Sequence, residues 1–463
     1  MIKGVLDHHP QRFHLTNELH ARPFTPMPVP GRVVMLAFKE PHGALERNLD
    51  RDRDHLISLI DRHGGAHPAP AASHYFGDFD RFRLKWERHT EFVSYTLFES
   101  GETNALFDTD LAAQFPAEWL ADAPGKVIAA IQVELIETDS LEAADALVSG
   151  PLAKQFSAES LVISRVLDGA GLAIGDFRIH EGGFARFAVV IHNEVGARRI
   201  GRVAQRLVEI ETYRTLAMLA LPLARKTAAR LNDIERELTD LTGKVATDDA
   251  MQDAEILGAL TALSAEIEAL SAASAFRFGA ANAYEAIVQE RIGMLREERL
   301  HGRQLYAEFM ARRFAPAMRT CHATVKRLTE LATRASRIAD LLRTRVNVAV
   351  EAQNQHLLES MDKRAATQLR LQETVEGLSV VAISYYAVSL TTYLTQPLAE
   401  RLGVTSEALT AMLAVVIILI VWAAIRRMRI RIMEKFNSDV AAGGAKAPPK
   451  WKARRAQRGS GRG

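Results

Sequence analysis

A chain of 463 residues has room for two or three structural units of about 150 residues each, and its 48% hydrophobic and 25% charged content is ordinary for a folded protein. Bulk composition does not mark it as a membrane protein, so any evidence for a membrane has to be local. Its single cysteine, Cys321, excludes an intramolecular disulfide, and the net charge of +2 hides a tail from Arg426 onward with twelve Lys and Arg against only Glu434 and Asp439.

Residues 1–15 mix His, Asp, Lys and Arg without an apolar stretch, so they do not read as a signal peptide. Up to residue 198 the rhythm is that of strands. Segments 32–38, 82–89, 91–99, 127–136, 160–167, 172–180 and 184–192 are rich in Val, Ile and aromatics, with helical segments near 43–62 and 140–148. Gly169-Ala170-Gly171 and Glu181-Gly182-Gly183 read as hairpin turns. The expectation is an α+β domain with a mixed or antiparallel sheet. In that setting Gly169-Ala170-Gly171 with Gly175 is no dinucleotide fingerprint, because no helix follows to hold a pyrophosphate. His180-Glu181-Gly182-Gly183 opens like a zinc-protease motif but lacks the second His.

Two polar clusters stand out in this domain. Glu18, His20 and Arg22 close an N-terminal stretch that also holds His8, His9 and His14. Glu87, His89 and Glu91 alternate on one expected strand and so share a face. Carboxylate and imidazole together suit a divalent cation or proton transfer; the bland alternative is a solvated or ion-paired sheet face. No cofactor is expected beyond such a cation.

Residues 199–374 read as a helical bundle and coiled-coil stalk. Val203, Leu207, Ile210, Ala217, Leu221, Ala224, Ala228, Leu231 and Leu238 recur at helical spacing, with a kink expected at Pro222. Helices are expected at 251–273 and 280–313, separated by a break at Phe276-Arg277-Phe278-Gly279. Between Pro316 and Gly377 there is neither Gly nor Pro, which predicts one long helix or two barely interrupted ones. Its seam runs through Leu328, Leu331, Ala335, Ile338, Leu342, Ala349 and Ala352 and degrades at His356 and Glu359.

Residues 375–425 predict a transmembrane hairpin with spans at about 377–396 and 408–425. The second run, ALTAMLAVVIILIVWAAI, holds ten Leu, Ile or Val. Those alone favour insertion by roughly 3 to 6 kcal/mol. The first run is thick with hydroxyls, and Tyr385, Ser389, Thr392 and Gln396 form a polar stripe at i, i+4, i+7 and i+11. That stripe fits either helix–helix packing or a pore lining. Lys363, Arg364 and Arg370 precede the first span, and Arg426, Arg427, Arg429, Arg431 and Lys435 follow the second. The positive-inside rule then puts both ends in the cytoplasm, at the inner membrane. Residues 426–463 read as a basic, disordered tail attracted to anionic lipid headgroups, without a specific nucleic acid as partner.

Long stretches resemble a bacterial family of uncharacterised membrane-anchored proteins, a domain of unknown function: HPQRFHLTNELHARPF, KWERHTEFVSYTLFE, ETYRTLAMLALPLAR, RTRVNVAVEAQNQHLLESMDKRAATQLRLQ and TVEGLSVVAISYYAVSLTTYL. The resemblance covers the chain up to the basic tail and implies membrane attachment without an activity. The order of parts is also similar to CorA-type magnesium channels, with Asn354, Leu357, Met361 and Leu369 in a comparable pre-membrane helix. Their Gly-Met-Asn signature is absent, and Tyr393-Leu394-Thr395-Gln396-Pro397 stands there instead. The leading expectation is a non-enzymatic, membrane-anchored homo-oligomer of sensing or scaffolding type. Behind it stand a CorA-like cation channel or transporter and, last, a membrane-bound metal-dependent enzyme.

Overall fold

The computed structural model describes residues 7–13, 15–16, 24–41, 47–70, 72–102, 105–245, 253–402 and 406–443. The N-terminal elements are β1 (Gly31–Lys39), α1 (Leu49–His63), β2 (His74–Phe79), β3 (Phe82–Arg88), β4 (Val93–Ser100), α2 (Ala117–Ala121), β5 (Lys126–Glu137), α3 (Leu141–Ser149), β6 (Val162–Val166), β7 (Gly171–Ile179) and β8 (Ala185–Ile191). Helices follow: α4 (Ala197–Met218), α5 (Ala220–Val245), α6 (Asp253–Leu295), then a short β9 (Glu298–Arg299), α7 (Tyr306–Arg313), α8 (Ala315–Leu402) and α9 (Ser406–Gly443).

The strands form one mixed sheet in the order β2-β3-β4-β1-β5-β8-β7-β6-β9. Every neighbouring pair is antiparallel except β5 with β8. Side chains alternate along β1, which is buried along its whole length. Val33, Met35 and Ala37 join the core beneath α4, whereas Val34, Leu36 and Phe38 pack with Leu56, Leu59 and Ile60 of α1 and Trp119 of α2. Each of those fully buried aliphatic side chains stabilises the layer by about 1.5–3 kcal/mol. The second half of that outer face is covered by Ala144 and Val148 of α3.

Local sequence explains the helix ends. Asn48 Oδ1 accepts from the N–H groups of Asp50 and Arg51, both at 3.1 Å, and starts α1. Gly64, at φ 71°, closes it in the left-handed conformation that a side chain disfavours. The expected kink at Pro222 takes the form of a change of helix: α4 ends at Met218, the residue whose carbonyl the proline ring would strike.

Three expectations need correction. The Phe276–Gly279 break does not occur, because α6 runs unbroken and buries Phe278 in the main core. Residues 280–313 are not one helix; α6 stops at Leu295, and β9 pairs with β6 before α7 begins. Beyond Ile425 the chain stays helical to Gly443 rather than becoming a disordered tail. Good helix formers dominate that stretch, and neither Gly nor Pro interrupts it before Gly443 itself. Residues 444–463 lie outside the described residues.

The chain divides into two compact units, Met1–Val346 and Asn347–Gly463. In the first, the sheet and helices α4 to α7 share one continuous core with the start of α8. The α8 seam is buried through Leu328, Leu331, Ala335, Ile338 and Leu342 and ends there; Ala349 and Ala352 are exposed. Among the described residues, three helices are long and apolar enough to cross a membrane: α6, α8 and α9.

Candidate functional site

On β3, Leu84 and Trp86 point to the α1 side, so Lys85 and Glu87 point to the α4 side. Strand register sets Lys85 opposite Thr96 and Glu87 opposite Ser94. Across β4, Thr96 faces Met35 and Ser94 faces Ala37 of the apolar neighbour β1. A block of four polar side chains therefore interrupts an otherwise apolar sheet face. α4 lies over it. Lys85, Ser94 and Thr96 are all buried.

Between this block and the helices is a cavity of about 240 Å³. Its roof is Gln205, Val208, Glu209, Thr212 and Tyr213 of α4 with Arg291 of α6, and Phe24 reaches its rim. Lys85 Nζ pairs with Glu87 Oε2 at 3.1 Å. Arg291 Nε donates to Glu209 Oε2, whose other oxygen accepts from Gln205 Nε2 at 2.7 Å. Two cations thus meet two carboxylates among the described residues of the lining. Gln205 Oε1 is buried without a hydrogen-bond partner among the described residues, a spare acceptor.

The sequence reading places Glu91 on the face of Glu87 and His89; the structure separates them. β3 stops at Arg88, and His89 N–H donates to Phe92 O at 2.9 Å, closing a tight turn. The His89 ring stacks on Phe92, with centroids 4.1 Å apart, and both lie edge-on to Tyr213 at the cavity wall. Glu91 sits in the turn itself, almost fully buried. It binds Lys39 Nζ at 3.1 Å, Arg277 Nη2 at 2.5 Å and Tyr284 Oη at 2.6 Å. Burial pushes its carboxyl upward, but the hydrogen bonds from Arg277 and Tyr284, the Arg277 charge and the Lys39 contact outweigh it, leaving the pKa below the ordinary range. Burial and the Glu91 hydrogen bond push the Tyr284 phenol up. Tyr284 also stacks on Tyr213, so an aromatic pair joins this ion cluster to the cavity.

Glu18, His20 and Arg22 lie outside the described residues. Among the described residues no group of three His, Cys, Asp or Glu is placed to hold a metal ion. On α8, Tyr385 is exposed while Ser389 and Thr392 are half-buried, and Thr392 Oγ1 donates to Val388 O at 2.8 Å. The Gln396 side chain is outside the described residues. Sequence reasoning missed Lys85, Gln205, Glu209, Thr212 and Arg291. One signal was available: Gln205, Glu209 and Thr212 fall at i, i+4 and i+7, a polar stripe beside the apolar line of Val203, Leu207 and Ile210.

Residues 7–432 match the model of a family described as a protein of unknown function, DUF3422. The chain belongs to the DUF3422 family. The match takes in both the cavity and the two C-terminal apolar helices, so the DUF3422 pattern extends over both compact units. No curated protein matches the chain.

Proposed function

We propose that this DUF3422 protein is a non-enzymatic, homo-oligomeric membrane protein whose sheet-and-bundle unit faces the cytoplasm and binds a small polar ligand under α4. The observation that carries the membrane part is how little the chain itself buries its most apolar helices. In α6 the apolar window is 22% buried and its Ile256, Leu260, Leu263 and Ile267 sit in the core. The corresponding windows of α8 and α9 are 6% and 0% buried. Apolar stretches that the chain leaves almost uncovered belong in lipid. Two spans, from α8 and α9, and basic residues at both outer flanks put both ends of the chain inside. The basic stretch after the second span faces anionic headgroups.

The two opposite-charge pairs in the cavity lining support a ligand class. An ion of either sign would leave an uncompensated buried charge, whereas a zwitterion can exchange partners with the Lys85–Glu87 and Arg291–Glu209 pairs. The volume suits a molecule of amino-acid size, and Gln205 Oε1 offers an acceptor to its ammonium group. A thermal-shift screen of the detergent-extracted chain with amino acids and other small zwitterions tests this. A ligand at a hundred times its Kd raises stability by about 2.7 kcal/mol. Lys85→Met should abolish the response. A screen in which only anions or only apolar compounds respond would remove the ligand reading while leaving membrane anchoring untouched.

A further inference from the structure

The long helix α8 changes the face it offers for packing near residue 346. Up to Leu342 it buries Leu328, Leu331, Ala335, Ile338 and Leu342 within its own chain. Continued at the same 3-4 spacing, that face becomes Arg345, Ala349, Ala352, His356, Glu359, Lys363, Ala366, Arg370 and Glu373, which is mostly charged and exposed. About 160° round the helix, at 100° per residue, a different face opens. One heptad line is Asn354, Met361, Gln368, Val375, Ala382 and Ser389. The companion line, three residues on, is Leu357, Arg364, Leu371, Leu378, Tyr385 and Thr392. Arg364 is the one charge in the two lines, and its long stem lets the guanidinium leave the seam. Between residues 347 and 377 the other charges all fall off these lines, with Glu351 beside one of them.

We infer that this face is the surface on which copies of this chain pair, α8 beside α8, parallel and in register. The inference rests on the self-association part of the proposed function and gives it an address. Three observations favour an identical partner. Leu357, Met361 and Leu371, with Leu358 and Leu369 beside the lines, are each more than half exposed although they precede the span, where no lipid covers them. The same two lines continue without a phase shift into the polar stripe of the span, so a covering partner must itself cross the membrane surface alongside α8. Asn354 and Gln368 lie on the central line, and amides, which both donate and accept, are satisfied by their own kind in a parallel in-register pair.

The test is a cysteine scan of the full-length chain in native membranes, in a Cys321→Ser background. Asn354→Cys, Leu357→Cys, Met361→Cys, Leu371→Cys and Val375→Cys probe the seam; Ala352→Cys, Glu359→Cys, Ala366→Cys and Glu373→Cys probe the opposite face. After mild oxidation the seam positions should give at least about fivefold more disulfide-linked dimer than the opposite ones, because only facing cysteines reach bonding distance. Equal yields, or higher yields at Glu359 and Glu373, overturn the inference. Light scattering of the detergent-extracted particle separates the two ways of failing. An oligomer without the seam pattern removes this surface but keeps self-association, and a monomer removes both.

Discussion

Glu91 carries more of the first unit's electrostatic order than any single residue near the cavity. Its carboxylate holds Lys39 at the end of β1 and Arg277 on α6, both largely shielded from water. Glu91→Gln leaves those two cations without their counter-charge and should cost about 3–5 kcal/mol in denaturant unfolding, since breaking a buried pair strands the remaining charge. A loss within the few tenths of a kcal/mol typical of surface substitutions would contradict the role assigned to it. Glu134 behaves oppositely. Burial, opposed by the Phe107 N–H bond and the Arg32 charge, raises its pKa to about 7. A carboxyl whose folded pKa lies above its unfolded value contributes stability in full below the unfolded pKa and loses it as pH rises through the folded one. Glu134→Gln, which keeps an acceptor for Phe107, should therefore be more stable than the parent at pH 8 and lose that advantage at pH 4. Identical differences at both pH values would show that Glu134 titrates normally.

At the scale of elements, α4 is the part that makes the cavity. Gly201 lets it approach the preceding chain: a Cβ there would come within 1.9 Å of Thr25 O. Helix propensity alone favours alanine over glycine by about 1 kcal/mol. Gly201→Ala should nonetheless destabilise the unit, and because Phe24 sits on the cavity rim it should also weaken the ligand-induced thermal shift. A stabilised variant with intact binding would show that the close approach is dispensable. Most of the sheet was legible because strands such as β1 and β8 carry apolar runs, residues 33–38 and 187–191. β2 escaped notice because Gly77 and Asp78 disfavour strands and its side chains are mostly half-exposed. Glu87 and His89 were legible as neighbouring polar residues, but the end of β3 at Arg88, which puts His89 in the turn, was not. What covers them was not, since Lys85 and Arg291 line one cavity from opposite ends of the unit's sequence, and local periodicity carries no information about such contacts. The α6 break was expected from Gly279 on local propensity, which the packing of Phe278 and the Arg277–Glu91 pair override.

For the whole molecule, the account rests on α8 and α9 lying in a bilayer. Two physically different signals support that: apolar length with little burial inside the chain, and cations before the first apolar stretch and after the second. The basic stretch from Arg426 should strengthen the association of liposomes containing the chain with anionic lipid, and replacing Arg426, Arg427, Arg429 and Arg431 by Gln should weaken or invert the orientation. Topology is open to a direct measurement on intact cells, using a membrane-impermeant thiol reagent and full-length chains in the Cys321→Ser background. Val404→Cys, in the connection between the spans, should be labelled from outside, whereas Lys435→Cys should be labelled only after the membrane is opened. Labelling of Val404→Cys only from the inner side, or recovery of the chain in the soluble fraction without detergent, would contradict the account.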